Sequence, residues 1–144
     1  MFWNEKSTEN NKALVQRYQE AHNTNNLAAL SEIVAADLTS HNKIPGTPPG
    51  LEGGKAVHQM LVAAFPDLHT DTEELIAEGE KVVQRFTVSG TDKGGFMGAP
   101  PTGKHYKVSG LSIFRIANGK IVEHWGVFDQ VGVLQQLGLM PMPG

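Results

Sequence analysis

The sequence contains no cysteine. That removes disulfides, thiolate nucleophiles and cysteine-ligated metals. Charge of one sign is also lacking. Twelve Lys and Arg stand against fifteen Asp and Glu, for a net charge of -3. The basic residues are scattered rather than striped, which argues against a nucleic-acid partner. No apolar run is long enough to span a bilayer. The start, Met1-Phe2-Trp3-Asn4-Glu5-Lys6, lacks the apolar core of a secretion signal, so the expected location is the cytoplasm. There is no Gly-x-Gly-x-x-Gly and no phosphate loop, so nucleotide cofactors find no support. No His-Glu-x-x-His or facial triad offers a metal site, and no serine elbow offers a nucleophile.

What is present fits one globular domain. The chain has 144 residues, 40% hydrophobic and 19% charged, enough for a real core. Residues 1–8 read as a polar, flexible tail. Ser7 or Thr8 can cap a first helix, expected over residues 8–23. Leu14, Tyr18 and Ala21 give it one apolar face. Leu27, Leu30 and Val34 mark a short second helix, near residues 27–35. A strand is expected over Leu38–Ile44, before the loop Pro45-Gly46-Thr47-Pro48-Pro49-Gly50. Val57, Met60, Leu61 and Ala64 share one face of a third helix, near residues 53–65, which Phe65-Pro66 ends.

The remainder reads as β. Strands are expected over Leu68–Glu78, Val82–Gly90, Tyr106–Ala117 and Lys120–Asp129. A Gly/Pro-rich loop covers Asp92–Gly103, and Val131–Leu139 folds back as a short helix or turn. Asn118-Gly119 is the strongest hairpin signal in the chain and favours a type I′ turn. Helices first and an antiparallel sheet second indicate an α+β fold.

The last hairpin predicts a pocket. A two-residue turn pairs Ala117 with Lys120, and pairing then runs outward. Ser112 falls opposite Trp125, Gly110 opposite Val127 and Val108 opposite Asp129. One face then carries Gly110, Ser112, Phe114, Glu123, Trp125 and Asp129. The other carries Leu111, Ile113, Arg115, Val122, His124 and Phe128. Two small residues facing the Trp125 ring leave room for a ligand, with Asp129 at the mouth. A carboxylate beside apolar walls suits proton transfer. The helices cover one face only, so the other is expected to meet a second copy through Ile113, Val122, His124 and Phe128.

Each candidate has a blander reading. Asp129 can simply cap the segment from Gln130 onward. His124 can be a structural or interface histidine, and Trp125 a core ring. Glu123 can pair with Lys or Arg. His41-Asn42 can stabilise the turn before the Pro/Gly loop. His105 reads as exposed, and His22, His58 and His69 have no special setting.

Four stretches, in order along nearly the whole chain, resemble the SnoaL-like polyketide cyclases of the nuclear-transport-factor-2-like superfamily. They are Ser40-His41-Asn42 with Pro48-Pro49-Gly50-Leu51-Glu52-Gly53; Phe65-Pro66-Asp67-Leu68; Gly90-Thr91 with Phe96 through Lys104; and Phe114 through Trp125 with Asp129 and Leu134-Gln135-Gln136-Leu137-Gly138. The resemblance implies a cone-shaped, mostly antiparallel curved sheet wrapped by three helices around a deep apolar pocket. It implies cofactor-free aldol chemistry on an apolar carbonyl or polyketide-like ligand. One aspartate would act as general acid and base, matched here by Asp129, with His124 as a second catalytic candidate. His41 and Asn42 match polar pocket residues, and Trp125, Ser112, Gly110 and Phe114 complete the expected binding set. Two departures stand out. Asp92 replaces a histidine often found after Gly90-Thr91, and Ser112 and Gly110 occupy the strand where a second catalytic histidine can stand. A non-catalytic binding or dimerisation module, and an epoxide-hydrolase-like hydrolase or hydratase, are the alternatives on the same fold.

Overall fold

The computed structural model describes residues 5–42, 44–96 and 98–141. Helix α1 (Glu5–Asn23) opens the chain. It starts ahead of the Ser7 or Thr8 cap expected, and the first four residues of the expected tail lie outside the described residues. A single 3₁₀ turn (Leu27–Ala29) runs into the short helix α2 (Leu30–Ile33). Strand β1 (Val34–Ser40), helix α3 (Gly50–Ala64), strands β2 (His69–Glu78), β3 (Lys81–Thr91), β4 (His105–Ala117) and β5 (Lys120–Phe128), and helix α4 (Gln130–Gln136) complete the order. Strand β1 begins four residues before the expected Leu38. Val34 is β-branched and fully buried against Ile121 of β5, so tertiary pairing takes it from the helix.

The five strands form one curved sheet in the order β1-β5-β4-β3-β2. Only the β1–β5 pair is parallel. This is the α+β architecture expected. Helix α1 packs on β2 and β3, α3 on β1, and α4 on β4. Two apolar clusters result. One joins Leu14 and Val15 of α1 to Leu30, Ile33, Val82, Phe114 and Ile121. The other joins Phe65, Tyr106, Val108, Val133 and Leu137. Among the described residues, no helix is long and apolar enough to cross a membrane.

Asn118 and Gly119 both have positive φ, 53° and 75°, as a type I′ turn requires. Ala117 pairs with Lys120 and Ile116 with Ile121. The next pair is Arg115 with Glu123, so Val122 is an extra residue, a β-bulge. A one-residue slip sends every later side chain to the opposite face. The expected partners are corrected accordingly. Ser112 faces Gly126 rather than Trp125, and Gly110 faces Phe128 rather than Val127. Asp129 follows the end of the strand and does not pair with Val108.

The bulge exchanges the β5 residues between the two faces. His124 and Phe128 join Phe114 and Ser112 on the inner face, and Trp125 and Glu123 move to the outer one. The outer face carries Leu111, Ile113, Trp125 and Val127, with Val127 at 66% exposure. His41 lies flat on Trp125, with ring centroids 4.6 Å apart and planes 1° apart. Its Nε2 is 2.6 Å from Glu123, which also accepts from Arg115 Nε at 2.7 Å. These bonds hold the Glu123 carboxyl below the usual carboxylate range, Arg115 first and His41 second.

Candidate active site

The inner face of the sheet, α1 and α3 enclose a cavity of about 850 Å³, open at one side and mostly apolar. Phe65, Phe86, Phe96 and Val88 supply its broad apolar wall. Polar residues of β1, Asp37, Thr39 and Ser40, also line it, and two further polar groups stand out.

The first surrounds Gly126. Asn42, Ser112 and His124 all line the cavity there. His41 and Asn42 form the turn that follows β1, and their side chains part. His41 goes outward to Trp125, and Asn42 goes inward. Asn42 Oδ1 accepts the backbone N–H of Gly126 at 2.5 Å, which leaves its amide N–H₂ as the group offered to a ligand. His124 Nε2 stands 3.3 Å from Ser112 Oγ. Behind it lies Phe114, with ring centroids 4.9 Å apart. A methyl at Gly126 would sit 3.2 Å from Ser112 Oγ and 3.3 Å from His124 Nε2. The missing side chain therefore keeps the space between these two groups open. Burial first, and repulsion between the protonated forms of His124 and His41 second, lower the His124 pKa to about 4. The imidazole is neutral at neutral pH.

The second place lies under α1 and α3. His22 lines the cavity from the last turn of α1. Its ring packs on Tyr18, whose ring meets Phe114 edge-on. Burial, then repulsion between its protonated form and those of His58 and His124, lower the His22 pKa to about 3. Burial alone pushes Tyr18 up to about 12. Gln84, buried on β3, donates to Gln19 and to Thr72, each at 2.9 Å.

Four of the eight residues expected in the site line this cavity: Asn42, Ser112, Phe114 and His124. The other four do not. Trp125 is on the outer face because of the register, and His41 turns there to stack on it and bind Glu123. Gly110 makes no room for a ligand, because the ring of Phe86 occupies the space where its side chain would be. Asp129 is exposed and caps α4, its Oδ1 accepting from Gly132 N–H at 2.8 Å. It was expected against Trp125 at the pocket mouth. Asp92 is likewise a loop clamp, fully buried and accepting from Gly95 N–H and from the Thr102 N–H and hydroxyl.

His22, His58 and Gly126 were missed. A signal existed for the first two. His22 is four residues from Tyr18 and shares the apolar face of α1, and His58 is seven from both Leu51 and Phe65. Gly126 carried no such signal, because its direction depends on the bulge. Among the described residues, no three His, Asp or Glu side chains converge as a metal ion would need.

Known proteins share both the sequence pattern and this architecture. Residues 12–137 match the SnoaL-like polyketide cyclase family profile. Aklanonic acid methyl ester cyclase DnrD of Streptomyces peucetius is 28% identical over 128 residues, covering 87% of this chain and 88% of DnrD. TsrD of Streptomyces laurentii superposes with a TM-score of 0.85 at 27% identity, covering 96% of this chain and 100% of TsrD. IdmH of Streptomyces antibioticus, a candidate polyketide cyclase, superposes with a TM-score of 0.79 at 34% identity, covering 89% of this chain and 98% of its own. With the match running from α1 to the end of α4 and the curved sheet common to the solved relatives, this chain belongs to the SnoaL-like polyketide cyclase family.

Proposed function

We propose that the chain is a cofactor-independent cyclase that closes a ring on an apolar polyketide-like substrate by an aldol step. The observation that carries this is a neutral histidine, His124, facing an 850 Å³ apolar cavity beside Ser112 and the amide of Asn42. His124 takes a proton from the carbon alpha to one carbonyl. The resulting enolate attacks a second carbonyl of the same chain, forming the C–C bond. His124 returns its proton to the new alkoxide. Burial makes an imidazolium costly in the empty cavity, but an enolate beside it supplies the opposite charge as the reaction proceeds. The pairing is therefore stronger at the transition state than before it. The N–H₂ of Asn42 and the Ser112 hydroxyl are the donors for the developing oxyanion.

The test is cyclisation of a synthetic linear poly-β-ketone ester, followed by the product chromophore. His124→Gln should lower kcat by roughly 10²–10⁴-fold, the scale of a lost general base. Asp129→Asn keeps the shape of the α4 cap and should keep most of the activity. The opposite pattern would restore Asp129 as the proton-transfer residue. Tight binding with no turnover in the wild type would favour a binding module instead.

We also propose that the outer face pairs with a second copy. Leu111, Ile113 and Val127 are 47%, 36% and 66% exposed there, in one patch beside Trp125. Contiguous apolar surface of this kind marks an interface. Sedimentation at micromolar concentration should give a dimer for the wild type and a monomer for Leu111→Glu. A wild-type monomer would refute the pairing.

A further inference from the structure

The second polar end of the cavity has no part in the aldol step, and its hydrogen bonds run in a determined direction. His22 on α1 and His58 on α3 meet through their Nδ1 atoms at 3.0 Å, with the rings edge to face. His58 Nε2 lies 2.7 Å from Oδ1 of Asn25. An amide oxygen only accepts, so His58 carries its hydrogen on Nε2. In a neutral imidazole the other nitrogen is then a bare lone pair. The hydrogen between the two Nδ1 atoms therefore belongs to His22, and the Nε2 of His22 has none. Among the described residues no buried side-chain nitrogen or oxygen lacks a partner. The bond to His58 uses only Nδ1, so the His22 Nε2 lone pair opens on the cavity that its ring lines.

A lone pair at that place calls for a donor on the ligand. The surroundings say which kind. The His22 ring lies 4.4 Å from the Tyr18 ring, which leads on to Phe114. The burial that keeps His22 neutral also disfavours an ammonium group. A flat, neutral, hydroxyl-bearing ring or enol satisfies both conditions. We propose that His22 is a specificity-determining acceptor for a phenolic or enolic O–H of the ligand, and that Asn25, through His58, fixes it in the accepting form. Asn25 has a φ of 56°, and its backbone N–H donates to the His22 carbonyl at 3.2 Å. The residue that closes α1 thus also sets the tautomer of the ring on the preceding turn. This deepens the cyclase reading and rests on it only for the ligand's place in this cavity.

Two measurements test it without turnover. Long-range proton–nitrogen correlation spectra of the isotopically labelled chain should show the hydrogen of His22 on Nδ1 and that of His58 on Nε2. Titration with β-naphthol and with its methyl ether should show the naphthol binding more tightly by roughly two- to tenfold, the usual worth of one hydrogen bond. His22→Phe should abolish that preference and leave binding of the ether unchanged. Asn25→Gly accepts the positive φ and removes the acceptor, so it should weaken the preference while the His22 ring stays in place. A hydrogen on Nε2 of His22 would overturn the proposal. So would equal binding of the two probes by the wild type, or a preference that survives in His22→Phe. With cyclisation intact, these results would leave the proposed function standing. Failure of both probes to enter the cavity would defeat both readings.

Discussion

Lowering the pH from 7 to 5 should weaken this fold, and the cavity histidines set the amount. Burial moves His124 from 6.5 to about 4 and His22 from 6.5 to about 3. Unfolding returns both rings to water and to ordinary values. Between these limits the unfolded chain binds more protons than the native one, so stability rises with pH. The contribution is fully present above the unfolded value of about 6.5 and is lost as pH falls toward the native values. Integrated from pH 7 to pH 5, the loss is about 2 kcal/mol for each ring. Glu123 and Asp67, held below their ordinary values by Arg115 and by Thr91, act in the same direction. Their window lies at more acid pH, below their unfolded values. A domain of this size is stable by roughly 5–15 kcal/mol, so two such losses form a large share. Urea unfolding at pH 7, 6 and 5 measures it directly, with a constant m-value as the check on two-state behaviour. His124→Gln removes one titrating ring and should reduce the loss between pH 7 and 5 by about 2 kcal/mol. Parallel curves for the two proteins across that range would refute the burial argument.

Gly126→Ala should spare the fold and reduce activity. Its methyl would stand between Ser112 Oγ at 3.2 Å and His124 Nε2 at 3.3 Å, and kcat/KM should fall by roughly 10- to 100-fold through misplacement of the reacting groups. Gly110→Ala should act on stability instead. Its methyl meets the Phe86 ring, and overpacking of this kind costs about 1–3 kcal/mol, visible as a lower urea midpoint. Unchanged kinetics in the first, or unchanged unfolding in the second, would contradict the placement of these two glycines.

Most of the fold was legible because it rests on local periods. Leu14, Tyr18 and Ala21 mark α1. Asn118-Gly119 marks the hairpin, and the helices-then-strands order marks the α+β class. The bounds of β1 were less so. Val34 continues a helical pattern in sequence, and it becomes strand through its pairing with Ile121, 87 residues away in the numbering. The family was legible from four stretches in order. Asp129 illustrates how far such a reading reaches. Its bland role, as a cap for the segment after it, is the geometry found.

Half of the expected site residues line the cavity, and for Trp125 the reason is a single residue. Val122 bulges out of the β4–β5 ladder, and no feature of Lys120-Ile121-Val122-Glu123 announces it. An alternating strand read without the bulge puts Trp125 inside and His124 outside. With the bulge, the order reverses. The consequence is chemical as well as geometric. Without the bulge, Glu123 would enter an apolar cavity and His41 would lose its carboxylate partner. With it, Glu123 binds Arg115 and His41 on the outer face, and the cavity receives a neutral imidazole in place of a charged carboxylate. A buried carboxylate would need a partner of its own. On the proposed reading, a neutral imidazole stands there without a charged partner until substrate brings an acidic C–H beside it. The bulge at Val122 thus decides which face of β5 lines the cavity, and so makes the base proposed on that strand an imidazole rather than the Glu123 carboxylate.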